Sequence, residues 1–188
     1  DERPKPLFYA LRHAYADRLL TVQPRDGVPT LVVVNDHAEA WDGQVTLRRI
    51  DVSGAEQGET EQVSVSVPAR SVHEVPLSVA LTTPGDATRE VLVAELDDVR
   101  EIHLFAEPKD LMLDPSAVDV SFRAVEGGLV VDVSAATLAL DVSVLADRIV
   151  PDGVVDDMLV SLLPGEAHTF LVSSGSGVSA ERVAELAA

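Results

Sequence analysis

Apolar residues in this chain recur mostly at every second position. Leu20 and Val22 begin the pattern, and Leu31 to Val34 form a fully apolar run ending at the turn-prone Asn35-Asp36. Gln44-Val45-Thr46-Leu47 follows Asp42-Gly43, and Val63-Ser64-Val65-Ser66-Val67 sets valines on one side and serines on the other. Val75 and Leu77, Val91 to Leu96, and Ile102 with Leu104 continue the series, separated by turn-rich stretches at 53–59 and 82–86. A period of two puts alternate side chains on opposite faces of a strand, and β-branched valine fits that half-buried surface. Short strands punctuated in this way predict an antiparallel β-sandwich rather than βαβ units.

The pattern lapses at 107–115, where mixed charges surround Pro108, and then resumes. Val118, Val120 and Phe122 precede a Gly127-Gly128 turn, and Leu129, Val131 and Val133 follow it. Leu138, Leu140, Val142 and Val144 alternate with small or polar residues, and Pro164-Gly165 turns the chain before His168 to Val172. The boundaries this suggests are a first sandwich at 18–106, a linker at 107–115 and a second, smaller sandwich at 116–174. The second set is short for an independent sandwich, which predicts that it leans on a neighbour for stability.

The two ends differ from the middle. Leu7, Ala10, Leu11, Ala14 and Tyr15 fall at helical spacing, and Pro4 and Pro6 suit a helix start. Tyr9, Leu11 and Tyr15 also share parity, so a strand competes, but a lead-in helix within 1–17 fits better. At the other end, Ser173 to Gly177 has linker composition. Ser179 can cap a short helix in a flexible tail at 175–188, with Val183 and Leu186 as its apolar face.

Composition narrows the function classes. The formal net charge is −18, from 14 basic and 32 acidic residues, which opposes binding to nucleic acid or an anionic membrane surface. The chain has no cysteine, which excludes disulfides, thiol catalysis and Cys-ligated metal; a sandwich here must be held by packing alone. No run approaches the ~20 apolar residues of a membrane-spanning helix. The polar opening Asp1 to Pro6 does not read as a secretory signal, which leans toward a cytoplasmic location, although a first residue other than Met leaves location unknown.

Candidate chemistry is sparse. His13, His37, His73, His103 and His168 are widely separated, none at the i, i+4 spacing of a helical zinc pair. Asp97-Asp98 and Asp156-Asp157 are adjacent carboxylates, whereas glycoside hydrolysis needs two carboxyls facing one bond across about 5–10 Å. Neighbours on a strand point to opposite faces, so neither pair qualifies there. Asp152 to Asp157 offers oxygen ligands but lacks the spacing of an EF-hand loop. No catalytic, cofactor or metal residue is assigned. Trp41, between two strands, is the one candidate carbohydrate contact, against the plainer reading of an indole packed at the sandwich rim with its N–H bonded.

Several segments resemble the C-terminal part of glycoside hydrolase family 2 β-mannosidases. Pro6 to Ala16 resembles the helix that closes the catalytic barrel of that family. Leu31 to Asp36, Trp41-Asp42-Gly43 and Val45 to Arg48 resemble the first strands of its next domain. Phe105 to Leu111 resembles the junction to a second module, and Leu162 to Glu166 that module's last turn. The order matches along nearly the whole chain. The resemblance implies an all-β chain of two consecutive immunoglobulin-like antiparallel β-sandwich domains, with a short N-terminal helix and a short C-terminal one. It also implies a parent enzyme that removes terminal β-linked mannose with retention, without a cofactor, using two glutamates upstream of this chain. The chain itself would then be a non-catalytic scaffold. Its partner would be the barrel, manno-oligosaccharide would be met only through the parent, and the orphaned helix would offer a homo-oligomer contact. A carbohydrate-binding module, or a stand-alone adhesion domain, are the alternatives.

Overall fold

The computed structural model describes residues 4–186. The chain begins with helix α1 (Pro6–Ala14) and divides into two compact units. One comprises Ala14–Met112; the other joins the residues up to His13 to those from Leu113 onward.

The first unit holds seven strands: β1 (Arg18–Arg25), β2 (Val28–Asn35), β3 (Trp41–Asp51), β4 (Glu61–Val67), β5 (Ser71–Pro76), β6 (Glu90–Leu96) and β7 (Val99–Leu104), with one helical turn, α2 (Val79–Thr82), before β6. They form a three-stranded sheet in the order β1-β2-β5 and a four-stranded sheet in the order β4-β3-β6-β7. Every pairing is antiparallel. The alternation read from sequence explains the layers. Leu20, Leu31, Val33 and Val75 from one sheet meet Trp41, Val45, Leu47, Val65, Val67, Leu92, Ala94 and Leu96 from the other in one buried core. Burying each such side chain contributes about 1.5–3 kcal/mol. The turn between β6 and β7 is Asp97-Asp98, two residues long, with Asp97 at φ +54°. The apolar run at 31–34 is continuous because Val32 is buried as well, on the face opposite Leu31 and Val33.

In the second unit, β8 (Val118–Val125), β9 (Gly128–Ala135), β11 (Val154–Val155) and β13 (Ala167–Ser173) form one antiparallel sheet in the order β11-β13-β9-β8. The remaining strands, β10 (Ala139–Val142) and β12 (Val160–Leu162), make a separate two-stranded ribbon. Between β10 and β11 lies the single turn α3 (Ala146–Ile149), and α4 (Ala180–Leu186) ends the described chain. So small a second layer cannot cover four strands by itself. Helices complete the core instead: Tyr9 from α1 and Ala146 from α3 are buried in it, and Ile149 and Leu186 pack at its edge. Gly128 is required by packing, since a Cβ there would stand 2.0 Å from the carbonyl oxygen of Val172.

Several expectations are corrected. On α1 Tyr9 is the buried residue, a role the helical spacing of Leu7, Ala10, Leu11, Ala14 and Tyr15 does not point to, because its ring reaches a core built from residues far along the chain. The alternation from 138 to 144 yields only β10, whose register shifts between Ala139 and Val142, with Asp141 at φ +52°. Residues 152–157, which lack the spacing of a cation loop, contain edge strand β11. Within 175–188, expected to carry a short helix, α4 spans Ala180–Leu186. Ser179 Oγ accepts from Arg182 N at 3.1 Å, and the Arg182 guanidinium donates to the carbonyls of Ile149 and Arg148 at 3.0 and 2.9 Å. Leu186 packs on the core, while the side chain of Val183 lies outside the described residues.

Candidate functional site

The helix α1 has two chemically distinct faces. Pro6 occupies its first turn, where a missing N–H costs nothing, and Arg12 and His13 lie in its last turn, where cations suit the helix dipole. On the inner face Tyr9 is 2% exposed. Its hydroxyl donates to Val155 O at 2.6 Å, and burial pushes the phenol's pKa above its ordinary value. The Arg12 guanidinium lies over the Tyr9 ring, 5.1 Å from its centroid, and donates to Asp156 O at 3.0 Å. Asp157 Oδ1 gathers Arg12 Nη2 at 2.6 Å, His13 Nε2 at 2.9 Å and Met158 N at 2.7 Å. Burial pushes the Asp157 carboxyl up, but the Met158 N–H, Arg12 and His13 together outweigh it and hold the group below the usual carboxylate range. The outer face carries Leu7, 69% exposed, together with exposed Phe8 and Leu11. Leu7 and Leu11 stand one turn apart on it.

The structure places the sequence candidates elsewhere than in a shared site. Trp41 opens β3 and is 2% exposed. Its indole nitrogen donates to Asp97 Oδ2 at 2.8 Å, and the Arg18 guanidinium lies over its ring, 5.1 Å from the centroid. No flat face is left for a sugar, so Trp41 is corrected from candidate contact to core residue. It corresponds to the buried tryptophan on the third strand of immunoglobulin-type sandwiches, here without a disulfide beside it. Asp97 is thereby committed to Trp41. Asp156 Oδ1 accepts from Leu171 N and Asp157 N, both at 2.9 Å. Asp152 is bonded by the hydroxyls of Ser174 and Ser176, which hold its carboxyl down to about 2. Among the described residues, no three His, Asp or Glu side chains converge as metal ligands would. His103 and His168 stand edge-on to Phe105 and Phe170, at 5.5 and 4.5 Å.

Sequence reading passed over two features. The latch of α1 onto residues 155–158 joins positions about 145 apart, which no local pattern reveals. The second is a shallow pocket of about 290 Å³ in the first unit, lined by Tyr15, Leu19, Val34, Asp36, Arg70 and Val72 among others. Tyr15 is 81% exposed.

Comparison with known proteins agrees with this architecture. Residues 29–110 match the family model of the mannosidase Ig/CBM-like domain. The fold is similar to that in the crystal structure of a β-D-mannosidase from Dictyoglomus thermophilum, with a TM-score of 0.69 and 22% identity over 93% of this chain. It is also similar to the exo-chitosanase CsxA of Amycolatopsis orientalis, with a TM-score of 0.55 and 18% identity over 89% of this chain. The chain spans only 22% and 24% of those two proteins. No curated protein matches the sequence. Residues 29–110, which contain the buried Trp41 and most of the first sandwich, carry a mannosidase Ig/CBM-like domain, in keeping with the resemblance of the sequence motifs.

Proposed function

We propose that this chain is the non-catalytic C-terminal region of a retaining β-mannosidase-type glycoside hydrolase, and that it scaffolds a catalytic barrel. The observation that carries the reading is the division of α1. Its inner face is latched to the second unit through Tyr9, Arg12 and His13, while Leu7, Phe8 and Leu11 remain exposed. A helix gripped on one side and apolar on the other suits a joint between two bodies, and the barrel is the body it would meet. The motif order and the two similar enzymes, of which this fold forms less than a quarter, support the same reading. Hydrolysis would belong to the barrel. Of the paired acids, Asp97 accepts from Trp41, and Asp156 and Asp157 accept from backbone N–H groups of the second unit.

The test has two arms. The 188-residue chain should leave a chromogenic β-mannoside intact, whereas the protein expressed from the complete open reading frame should hydrolyse it. In that longer protein, Leu7→Asp with Leu11→Asp should lower activity and thermal stability, because charge on this face opposes docking. Turnover by the isolated chain, or full activity and stability in the double variant, would refute the scaffold reading. In the isolated chain the same face is expected to self-associate, read as a concentration-dependent mass by sedimentation.

A further inference from the structure

We infer that the pocket around Tyr15 binds a single neutral sugar ring, with Tyr15 as the stacking platform and Asp36 and Arg70 as the hydroxyl-reading pair. This inference concerns the outer face of the first sandwich and does not depend on the scaffold reading.

The floor of the pocket is an apolar row across the three-stranded sheet. Leu19 pairs with Val34, and Val34 with Val72. Their neighbours Leu20 and Val33 point into the core, so this row points outward. Tyr15 borders the row, and its hydroxyl makes no hydrogen bond among the described residues. Trp41 and Tyr9 are both buried. The polar side of the pocket comes from Asn35, Asp36, Arg70 and Ser71. Asn35 is spent: its amide nitrogen lies 2.8–3.1 Å from the carbonyls of Glu39, Val67 and Pro68. Ser71 donates to Pro68 O at 2.7 Å. The side chains of Asp36 and Arg70 pair loosely with each other, at 3.6 Å, and are about two-thirds exposed.

Those groups match one ligand chemistry. A pyranose has an apolar C–H face for an aromatic ring, and hydroxyls that both donate and accept. Asp36 supplies only acceptors and Arg70 only donors, and a guanidinium's planar fork suits two adjacent oxygens. The pair is neutral overall, and the chain's charge of −18 disfavours an anionic ligand. About 290 Å³ lies just under the usual range for small-molecule sites, which fits one ring better than an extended chain. Arg70 adopts φ +53°, a left-handed conformation that strains a non-glycine residue. Glycine would relieve that strain, which makes Arg70→Gly a substitution that separates folding from binding.

The experiment is titration of the isotope-labelled 188-residue chain with methyl β-mannoside, methyl β-glucoside and methyl β-glucosaminide, followed by amide chemical shifts. A neutral glycoside should shift Ala14 to Ala16, Leu19, Asp36 and Arg70 to Val72, with a Kd of about 1–10 mM. Tyr15→Ala and Arg70→Gly should each weaken binding about tenfold or more, while melting temperature is unchanged in the first and unchanged or higher in the second. Three results would overturn the inference: no shifts at saturating sugar, shifts that survive both substitutions, or tighter binding of the glucosaminide. Concentration-dependent shifts at Tyr15 without sugar would overturn it too, by assigning the patch to a second copy of the chain.

Discussion

The hydroxyl of Tyr9 and the carbonyl of Val155 meet at 2.6 Å although 146 positions separate them. That contact makes the first helix part of the last module's core. Tyr9→Phe should cost about 1 kcal/mol, the net worth of one buried hydrogen bond. Tyr9→Ala should cost about 3–5 kcal/mol through the cavity it leaves. Urea denaturation followed by far-ultraviolet circular dichroism reads both, and the loss should be confined to the transition of the second unit.

Trp41 is the only tryptophan and lies wholly within the first unit. Its fluorescence therefore follows that unit alone. Trp41→Phe should cost about 1 kcal/mol or more by leaving Asp97 without its donor, and Trp41→Ala about 3–5 kcal/mol. Sugar titration of folded Trp41→Phe should give shifts like those of the unaltered chain, since a buried indole is not a platform.

The latch at Asp157 is pH-dependent with a definite sign. The folded carboxyl binds its proton less readily than the unfolded one, because Met158, Arg12 and His13 favour the anion over the opposing effect of burial. Its contribution is complete above the unfolded value near pH 4 and is lost as pH falls through the lower folded value. Asp157→Asn should destabilise the second unit at pH 7 by about 1 kcal/mol, a modest figure because the pair is partly exposed. The gap from the unaltered chain should close near pH 2–3, as measured by thermal melts.

Glu101 has the opposite sign. Burial raises its carboxyl above the ordinary range, offset only in part by the Val22 N–H that Oε1 accepts at 3.3 Å. The unfolded chain ionises first, so the contribution of Glu101 to stability is greatest below about pH 4 and falls as pH rises through the folded value. Glu101→Gln keeps an acceptor for Val22 and removes the buried charge. The variant should melt no lower than the unaltered chain at pH 7, with any advantage gone by about pH 4. A lower melting temperature at pH 7 would contradict this account.

A buried ion pair offers a further check. Arg49 Nε lies 2.9 Å from Glu90 Oε2, off the N–H axis, and both side chains are largely buried. Glu90→Ala should cost about 3–5 kcal/mol, because the Arg49 cation would be left buried and unpaired. Replacing both residues with apolar ones should cost much less, as a double-mutant cycle would measure.

Sequence periodicity served the fold well wherever a strand buries one face. Val63, Val65 and Val67 pair with β3 through Val45, Gly43 and Trp41, as their alternation required. It failed where burial comes from a distant partner. Nothing near Tyr9 indicates that it, rather than Leu7 or Leu11, is the inward residue, since its partners lie past residue 128. The short pieces β11, β12, α2 and α3 are too brief to carry a period. Trp41 follows a polar loop, residues 36–40, yet sits in the core with its N–H bonded, the plainer of the two readings its sequence offers. Tyr15 was grouped with α1 by spacing, yet the helix stops at Ala14.

Because α1 and the residues after 113 build one core, the first sandwich is, in chain terms, a guest spliced into its host. During synthesis the host's opening piece emerges first and must wait, uncovered, while about 100 residues of guest are made and fold. Only when β9, β11 and β13 follow does Tyr9 find its place. The exposed aromatic helix is thus the segment most in need of protection before the chain is complete, and a cut made between the two sandwiches would strand it on the wrong piece.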